Sequence, residues 1–309
     1  METARATMRD VAAAAGVSPS LVSFVLNDAP GQTIPEATRA RVREAAERLG
    51  YAPHGVARAL REGAARIVLL DTAGLPHGPS LEAFTQGLGL ELAAHDHSLL
   101  VHSAGRDDLE RAVRAIVPRA VVDLAGLYAS GAGEHEDGGW ADGLQAHAAV
   151  QMRHLLDAGH RGVAIALPAE PGEEAAPLVQ RRADQLAAVA RDARVGTVVL
   201  PVAAEAAAAA AALVALRGSH PGITAVAAFD DATALAVLAA MRRCGLEAPR
   251  DLAVMGFDAT EAAGLWDPGL TTVEIDAAAY GRRAGRLALG LAPDPADVPR
   301  VRVVVRGSA

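Results

Sequence analysis

Short apolar stripes separated by capping and helix-breaking residues fill the first fifty positions. A capping-box pair, Thr7 and Asp10, precedes one stripe, and Ser18 followed by Pro19 precedes the next. A third stripe repeats at helical spacing up to Leu49. These signals predict three helices, over 8–15, 19–26 and 35–48. Two short helices joined by a glycine-containing turn and followed by a third are typical of a helix-turn-helix head.

Beyond residue 66 the pattern changes to short, fully apolar runs separated by alanine-rich helical stretches. The runs predict β-strands over 67–70, 98–101, 120–122, 163–167, 197–202, 225–229, 252–257 and 301–305. The stretches between them predict helices over 81–94, 106–117, 144–158, 177–191, 203–217 and 231–243. Alternating strands and helices are typical of parallel sheets covered on both faces. The length favours two doubly wound sheets, with the glycine- and acid-rich stretch 130–143 between them.

Composition narrows the class of protein. The chain has 309 residues, 51% of them hydrophobic, which is enough for two or three globular units. Its single cysteine, Cys244, excludes an intramolecular disulfide and a multi-cysteine metal site. The longest apolar stretch, about 206–216, is shorter than a membrane span, and the N-terminus has no signal-peptide pattern. We therefore expect a cytoplasmic protein that has no membrane partner.

Charge is distributed unevenly along the chain, and arginine supplies all of the fixed positive charge because lysine does not occur. Residues 1–66 contain 9 Arg and 7 acidic residues, a net charge of +2, whereas the remainder contains 20 Arg and 30 acidic residues, a net charge of −10. A mildly basic head on an acidic body suggests a nucleic-acid-facing module. A solvated, arginine-rich surface accounts equally well for so small an excess.

The head carries a resemblance to a known family. Residues 8–27 read MRDVAAAAGVSPSLVSFVLN, which resembles the start of a lac-repressor-type (LacI/GalR family) transcription regulator. The similarity continues through 37–53 and into 57–63, a segment that resembles the family's hinge. It is sparser in the body, where matching segments follow in the family's order: 158–161, 229–231, 254–258 and 270–273.

The resemblance implies an α/β fold with a three-helix helix-turn-helix head and a hinge, followed by two doubly wound parallel-sheet subdomains that resemble periplasmic sugar-binding proteins. We expect the DNA-binding head over 1–52, the hinge over 53–63, and an effector-binding and dimerisation region over 64–309. Within that region the expected N-subdomain covers about 64–142 and 275–293, and the C-subdomain covers about 143–274 and 294–309.

The resemblance also assigns DNA contacts to ten residues of the head and hinge: Thr7, Ser18, Pro19, Ser20, Ser23, Phe24, Asn27, His54, Ala57 and Leu60. The N-terminal residues of a recognition helix face base edges, with Phe24 one turn further on. The family commonly has arginine at that position, which would bind guanine. A phenylalanine can only make an apolar contact, for instance with a thymine methyl group, so the operator preference should differ. Alternatively, Phe24 belongs to the core of the head.

Leu60 occupies the position of the family's hinge leucine, which wedges into the minor groove and kinks the duplex. The alternative is that Leu60 belongs to a plain linker helix.

For the body, the resemblance implies an effector cleft between the two subdomains. The residues assigned to it are Ser80, Arg182, Phe229, Asp230 and Asp258. Ligands of open parallel sheets bind beyond the carboxyl ends of strands, and arginine with carboxylates suits a sugar-like ligand. Taken singly, however, Asp230, Asp231 and Asp258 are better explained as helix N-caps.

The segment 78–81 lacks the aromatic pair that the family usually has there. Without that stacking platform, a purine or a pyranose held face-on is disfavoured. The pocket is then suited to another ligand, or it no longer binds one.

These observations favour a dimeric repressor that binds a pseudo-palindromic double-stranded DNA operator and responds to a small-molecule, sugar-like effector. We expect no cofactor, no catalytic residue and no metal site. One alternative, a solute-binding module, leaves residues 1–63 unexplained. A second, an α/β enzyme with a regulatory head, lacks a catalytic constellation: the pair Gly87 and Gly89 is not followed by a third glycine, and His95 and His97 have no third ligand nearby.

Overall fold

A computed structural model describes residues 6–26, 33–51, 65–124, 126, 139–173, 175–292 and 294–309, with the side chains of 141, 142, 144 and 145 excepted. The chain divides into two compact units at the junction between Arg66 and Ile67. Asn27, His54, Ala57 and Leu60, which sequence reasoning assigned to DNA contacts, lie outside the described residues.

The first unit contains the three predicted helices, which are α1 (Met8–Ala15), α2 (Pro19–Leu26) and α3 (Glu36–Arg48). The predicted capping box opens α1, and Gly16 ends it in the left-handed conformation with φ 65°. The core consists of small and β-branched side chains: Val11, Ala12, Ala15, Val22, Val25, Val42, Ala45, Ala46 and Tyr51.

Two details at the ends of α3 differ from the prediction. Pro35 precedes the helix as its N-cap and is not part of it. Leu49, expected on the apolar side of the helix, is the C-cap residue and is 38% exposed, because α3 ends before this position can turn towards the core.

A first parallel sheet opens the second unit. Its strands are β1 (Ile67–Asp71), β2 (Ser98–His102) and β3 (Ala120–Asp123), in the order β2-β1-β3. The helices associated with it are α4 (Pro79–Ala94), α5 (Arg106–Ile116) and α11 (Ala277–Ala288). The hydrophobic pattern had predicted the three strands, α4 and α5, but not α11, whose buried face consists mainly of alanine and glycine.

A second parallel sheet has the order β5-β4-β6-β7. Its strands are β4 (Gly162–Pro168), β5 (Gly196–Val202), β6 (Ala225–Ala228) and β7 (Ala253–Met255). The helices of this part are α6 (Trp140–Asp157), α7 (Ala176–Asp192), α8 (Ala206–Ser219), α9 (Asp231–Arg243) and α10 (Glu261–Leu265). The prediction of two parallel sheets separated by helices is thus confirmed.

The C-terminal apolar run forms part of a different arrangement. Strand β9 (Val301–Val304) pairs antiparallel with β8 (Thr272–Ile275), a strand that the sequence pattern had not indicated. A bridge from Met255 to Thr271 joins the start of this pair to the second parallel sheet. The body therefore combines two parallel sheets with one antiparallel pair.

The carboxyl ends of both parallel sheets lead into the segments that form a cleft, which is described below. A shared apolar cluster includes Leu70 of the first sheet, Ile165 of the second and Phe84 of α4, all fully buried. Within the described residues, no single helix is long and apolar enough to cross a membrane; α1 and α2 meet that test only as a pair bent by 100°.

Candidate DNA interface and effector cleft

One face of α2 points away from the core of the head. Val22 and Val25 are buried, whereas Ser20 and Phe24 are exposed. Phe24 keeps 37% of its surface accessible and is not a member of the head's core. Of the two sequence-based interpretations, the structure thus excludes the one in which Phe24 is a core residue of the head.

Two of the hydroxyls assigned to DNA contacts also cap helices. The Thr7 hydroxyl donates to Asp10 Oδ2 at 2.7 Å, and the Ser18 hydroxyl accepts from the Leu21 backbone N–H at 3.2 Å. The hydrogen bonds from Thr7 lower the pKa of Asp10, so this carboxyl stays ionised at the start of α1. Both hydroxyls therefore cap the start of a helix, and both residues are also exposed.

The head also presents arginines that sequence reasoning had not assigned to a site. Arg9 lies on α1, and Arg41, Arg43 and Arg48 lie on α3; all four are exposed. Arginine is the side chain best suited to bidentate contacts with phosphate. These residues are the structural candidates for contacts with a phosphate backbone.

All five residues assigned to the effector converge on one cleft in the second unit, although they lie up to 178 positions apart. The cleft contains about 540 Å³ of empty space, a volume that includes solvent at its open side. Its lining is formed by Leu75, Pro76, Ser80, Leu81, Trp140, Leu178, Arg182, Phe229, Asp230, Phe257, Asp258 and Ile275.

Arg182 is the cationic residue of this lining, and its position is fixed from two sides. It is 3% exposed, and its guanidinium carbon lies 3.3 Å from the centroid of the Phe257 ring. Its Nη2 donates to Gln151 Oε1 at 3.0 Å. The Gln151 amide nitrogen in turn lies 2.9–3.1 Å from three backbone carbonyls at the ends of β6 and β7, those of Ala228, Met255 and Gly256. Gln151, which sequence reasoning missed, thus ties Arg182 to the sheet.

Ser80 and Asp258 face each other across the cleft and are hydrogen-bonded, with the Ser80 hydroxyl donating to Asp258 Oδ1. Ser80 lies in the first turn of α4, beside the first sheet, whereas Asp258 follows β7 of the second. Asp258 adopts a φ of 100°, and its N–H donates to the carbonyl of Val273. Burial raises the pKa of its carboxyl, although Ser80 and Arg182 oppose that shift.

Of the three aspartates that could be N-caps, only Asp230 is one, accepting from the Thr233 N–H at 2.7 Å. Asp231 lies in the first turn of α9 and accepts from the Thr272 hydroxyl at 2.6 Å and from the Thr260 N–H at 2.7 Å. Burial raises its pKa, and these hydrogen bonds oppose the rise. The N-cap interpretation is therefore wrong for Asp231 and Asp258.

Aromatic rings reach the cleft from segments other than 78–81, and sequence reasoning had assigned one of these rings, Phe229, to the effector. The segment 78–81 indeed contributes none, but Trp140, Phe229 and Phe257 are part of the lining. Trp140 begins α6 and packs edge-on against Tyr280, with 5.6 Å between ring centroids. The cleft therefore has aromatic surface although the family's usual pair is missing from 78–81. Trp140 lies within the glycine- and acid-rich stretch 130–143, which sequence reasoning had treated as a boundary between sheets and not as part of a site.

A buried histidine lies next to this aromatic group. The His147 Nε2 atom is 3.2 Å from the Tyr280 hydroxyl, and the side chain is only 2% exposed. Burial, with a smaller effect of the charge on Arg182, lowers the pKa of His147 to about 4, so the ring is neutral at pH 7. Its Nδ1 atom has no hydrogen-bond partner among the described residues.

Comparison with known proteins agrees with this architecture. Residues 7–54 match the family model described as "Bacterial regulatory proteins, lacI family", and residues 152–309 match a "Periplasmic binding protein-like domain". The regulator reg1 of Streptomyces lividans is 30% identical, over 97% of this chain and 96% of its own length. The ribose operon repressor of Bacillus subtilis is 29% identical, over 93% and 91%.

Solved structures show the same fold. The lac repressor dimer bound to operator and the anti-inducer ONPF has a TM-score of 0.71 at 20% identity, with 99% of each chain covered. The transcriptional regulator CelR in complex with cellobiose has a TM-score of 0.59 at 21% identity, covering 99% of this chain and 100% of its own. The curated relatives are named as transcriptional regulators and repressors, not as enzymes. The chain therefore belongs to the LacI family of bacterial regulatory proteins, and it is a DNA-binding transcriptional regulator with a helix-turn-helix head and a periplasmic-binding-protein-like body.

Proposed function

We propose that this regulator is a dimeric repressor of a pseudo-palindromic operator, and that a small polyhydroxylated effector in the cleft sets its affinity for DNA. The observation that carries the proposal is the convergence of Ser80, Arg182, Phe229, Asp230 and Asp258 on a single cleft. In the head, the exposed face of α2 contacts base edges, and the exposed arginines contact phosphates.

The chemistry of the lining suits a ligand with apolar faces and hydroxyl edges. Asp230 uses one carboxylate oxygen to cap α9, and Asp258 uses one to accept from Ser80, which leaves the second oxygen of each as an acceptor for a ligand hydroxyl. Trp140 and Phe229 supply apolar surface. Among structures of the same fold, one is described as a complex with cellobiose.

The contact between Ser80 and Asp258 explains how such a ligand acts on the rest of the body. The two residues belong to opposite walls of the cleft, so a ligand that bonds to Asp258 changes an interaction that joins the walls. A ligand shifts a conformational equilibrium by as much as its affinities for the two states differ. Closing or opening of the cleft is thus the step that couples effector binding to the affinity for DNA.

The proposed homodimer uses exposed apolar surface of the body. Strand β2 pairs only with β1 among the described strands, and Leu100 and Val101 on it are exposed. Leu265, at the end of α10, is 86% exposed. Exposed apolar side chains next to an unpaired strand edge are typical of protein–protein contact surfaces.

Effector control is tested by measuring the affinity for a selected operator in the presence of a panel of mono- and disaccharides. We expect at least one sugar to change the operator Kd and to raise the Tm of the protein. In Asp230→Asn, we expect the concentration of sugar required to increase about tenfold or more, because a hydrogen bond to a charged group contributes about 1.5–3 kcal/mol. Asparagine is as good an N-cap as aspartate, so α9 keeps its cap.

Asp184→Asn provides the matched control, since Asp184 lies on α7 outside the cleft lining and bonds only to Gln180 in the contacts described. This variant should respond to the sugar as the wild type does. Operator binding that no sugar in the panel changes, or an equal loss of response in both variants, would contradict effector binding at this cleft.

A further inference from the structure

We propose that Phe24 reads the C5-methyl group of a pyrimidine in the major groove, and that cytosine C5 methylation at that base pair therefore strengthens operator binding. This inference rests on the proposed function, in which α2 contacts base edges. It goes further by naming the DNA feature that the helix reads and a covalent mark to which the regulator responds.

The position of Phe24 on α2 is the first observation. Successive residues of a helix are about 100° apart, so Val22 and Val25 define the side of α2 that faces the core. Ser20 and Phe24 lie on the opposite side, one turn apart, and both are exposed. Phe24 is 37% exposed and is not a member of the head's core, so part of its ring is available for an external contact.

The chemistry of the exposed face is the second observation. The eight residues of α2, Pro19–Leu26, include no Arg, Lys, Asn, Gln, Asp or Glu, so none of them can make a bidentate hydrogen bond to a base. A serine hydroxyl bonds to any base and distinguishes bases weakly. Discrimination along this face therefore falls to the aromatic side chain.

The major groove offers one apolar group to such a side chain, which is the C5-methyl group of thymine. Cytosine presents a hydrogen atom at the same position, and 5-methylcytosine presents a methyl group again. A contact between Phe24 and this position therefore favours thymine over unmodified cytosine, and 5-methylcytosine over cytosine.

The test starts from an operator selected by the full-length protein from a random duplex pool. One pair of thymines at a time is then replaced by deoxyuridine, which removes only the methyl group. Each pair consists of a thymine of one half-site and the symmetry-related thymine of the other. We expect one such pair to weaken wild-type binding about fourfold per half-site, or about 15-fold in total, which corresponds to the burial of one methyl group at each. Phe24→Ala should show no such loss at that pair.

A second arm replaces the same pair of thymines by cytosine or by 5-methylcytosine, each paired with guanine. The wild type should bind the methylated duplex about 15-fold more tightly than the unmethylated one, whereas Phe24→Ala should bind both alike. Phe24→Leu retains an apolar side chain and should give an intermediate ratio. Ser20→Ala, on the same face, should keep the wild-type ratio. Unchanged Tm values of the variants verify that the head is folded.

The outcomes separate this inference from the proposed function. The first contrary outcome is a selected operator at which wild type and Phe24→Ala lose the same affinity at every deoxyuridine pair. That result overturns the role of Phe24 and leaves DNA recognition by the head intact. A selected operator in which no thymine is sensitive to loss of its methyl group overturns it as well. Failure to select any sequence contradicts the proposed function itself.

Discussion

His102 shows how two neighbours determine the charge of one side chain. Its Nδ1 atom lies 2.8 Å from Asp71 Oδ1, and its Nε2 atom lies 3.2 Å from Asp108 Oδ2. A neutral imidazole has a single N–H, so only the imidazolium can donate to both carboxylates. The hydrogen bond to Asp71 above all, with that to Asp108 and the charges of both, raises the pKa of His102 against the opposing effect of burial.

We therefore expect His102 to stabilise the fold most in mild acid. Because its folded-state pKa is raised, the contribution is fully present below the unfolded pKa of about 6.5 and is lost as pH rises through the folded value. Urea unfolding of the wild type and of His102→Gln at a series of pH values checks this. The free energy of unfolding of the wild type minus that of His102→Gln should fall as pH rises. The lowered pKa of His147 has the opposite effect on stability, but it affects both proteins equally and cancels in this difference. A difference that stays constant with pH would refute the assignment.

Three aspartates, two in the lining of the cleft and one buried beside it, show what the sequence could establish at the residue scale. Each of Asp230, Asp231 and Asp258 follows a strand, which places all three at the carboxyl edge of the second sheet, as expected. Their different roles depend on partners far along the chain: Thr272 for Asp231 and Ser80 for Asp258. A local pattern contains no information about these partners, so it could not distinguish a cap from a contact across the cleft.

Helices α4 and α11 pack with unusually close backbones, and glycines make this possible. A Cβ atom added at Gly87 would lie 2.1 Å from the carbonyl oxygen of Ala278, and one added at Gly281 would lie 2.1 Å from that of Phe84. Neither neighbour is a flexible side chain that could move aside. The two glycines thus set the separation of the helices beside the first sheet.

Gly87→Ala should therefore destabilise the body by about 1–3 kcal/mol or more, since the added methyl group meets backbone atoms. Gly89→Ala is the control on the same helix, because its Cβ would meet only Leu99 Cδ2 at 3.7 Å, an ordinary contact. Alanine is about 1 kcal/mol better than glycine inside a helix, so this variant should be neutral or more stable. Thermal unfolding of the two variants and of the wild type measures the change in Tm that each substitution causes. Equal Tm changes would show that α4 and α11 are not packed as described.

The elements that the sequence pattern missed have a physical explanation. Helix α11 has a buried stripe at helical spacing, but Gly281 and Gly285 belong to it and read as helix breakers in a single sequence. Strand β8 reads Thr-Val-Glu-Ile and lacks the continuous apolar run that marked the other strands. Strands with strongly apolar runs, such as β4, were predicted to within one residue at each end.

At the scale of the whole molecule, alternation of strands and helices was sufficient to predict two parallel sheets, because parallel strands require helical crossovers. The order of strands within each sheet was not predictable in this way, and neither was the antiparallel pair β8–β9, which joins segments about thirty residues apart. The convergence of the five residues assigned to the effector was predicted from the resemblance to the LacI family. The part played by Trp140, Gln151 and Phe257 required the packed structure, since no local signal marks them.

The most informative measurement is the affinity of the full-length protein for its selected operator and for a scrambled duplex of equal composition, over a series of salt concentrations. We predict that the logarithm of both affinities falls linearly with the logarithm of the salt concentration, because phosphate contacts release counterions. At physiological salt the operator should bind at least about 10³-fold more tightly than the scrambled duplex. Equal affinity for both duplexes at every salt concentration, or no binding of either in dilute buffer, would contradict sequence-specific recognition by the head.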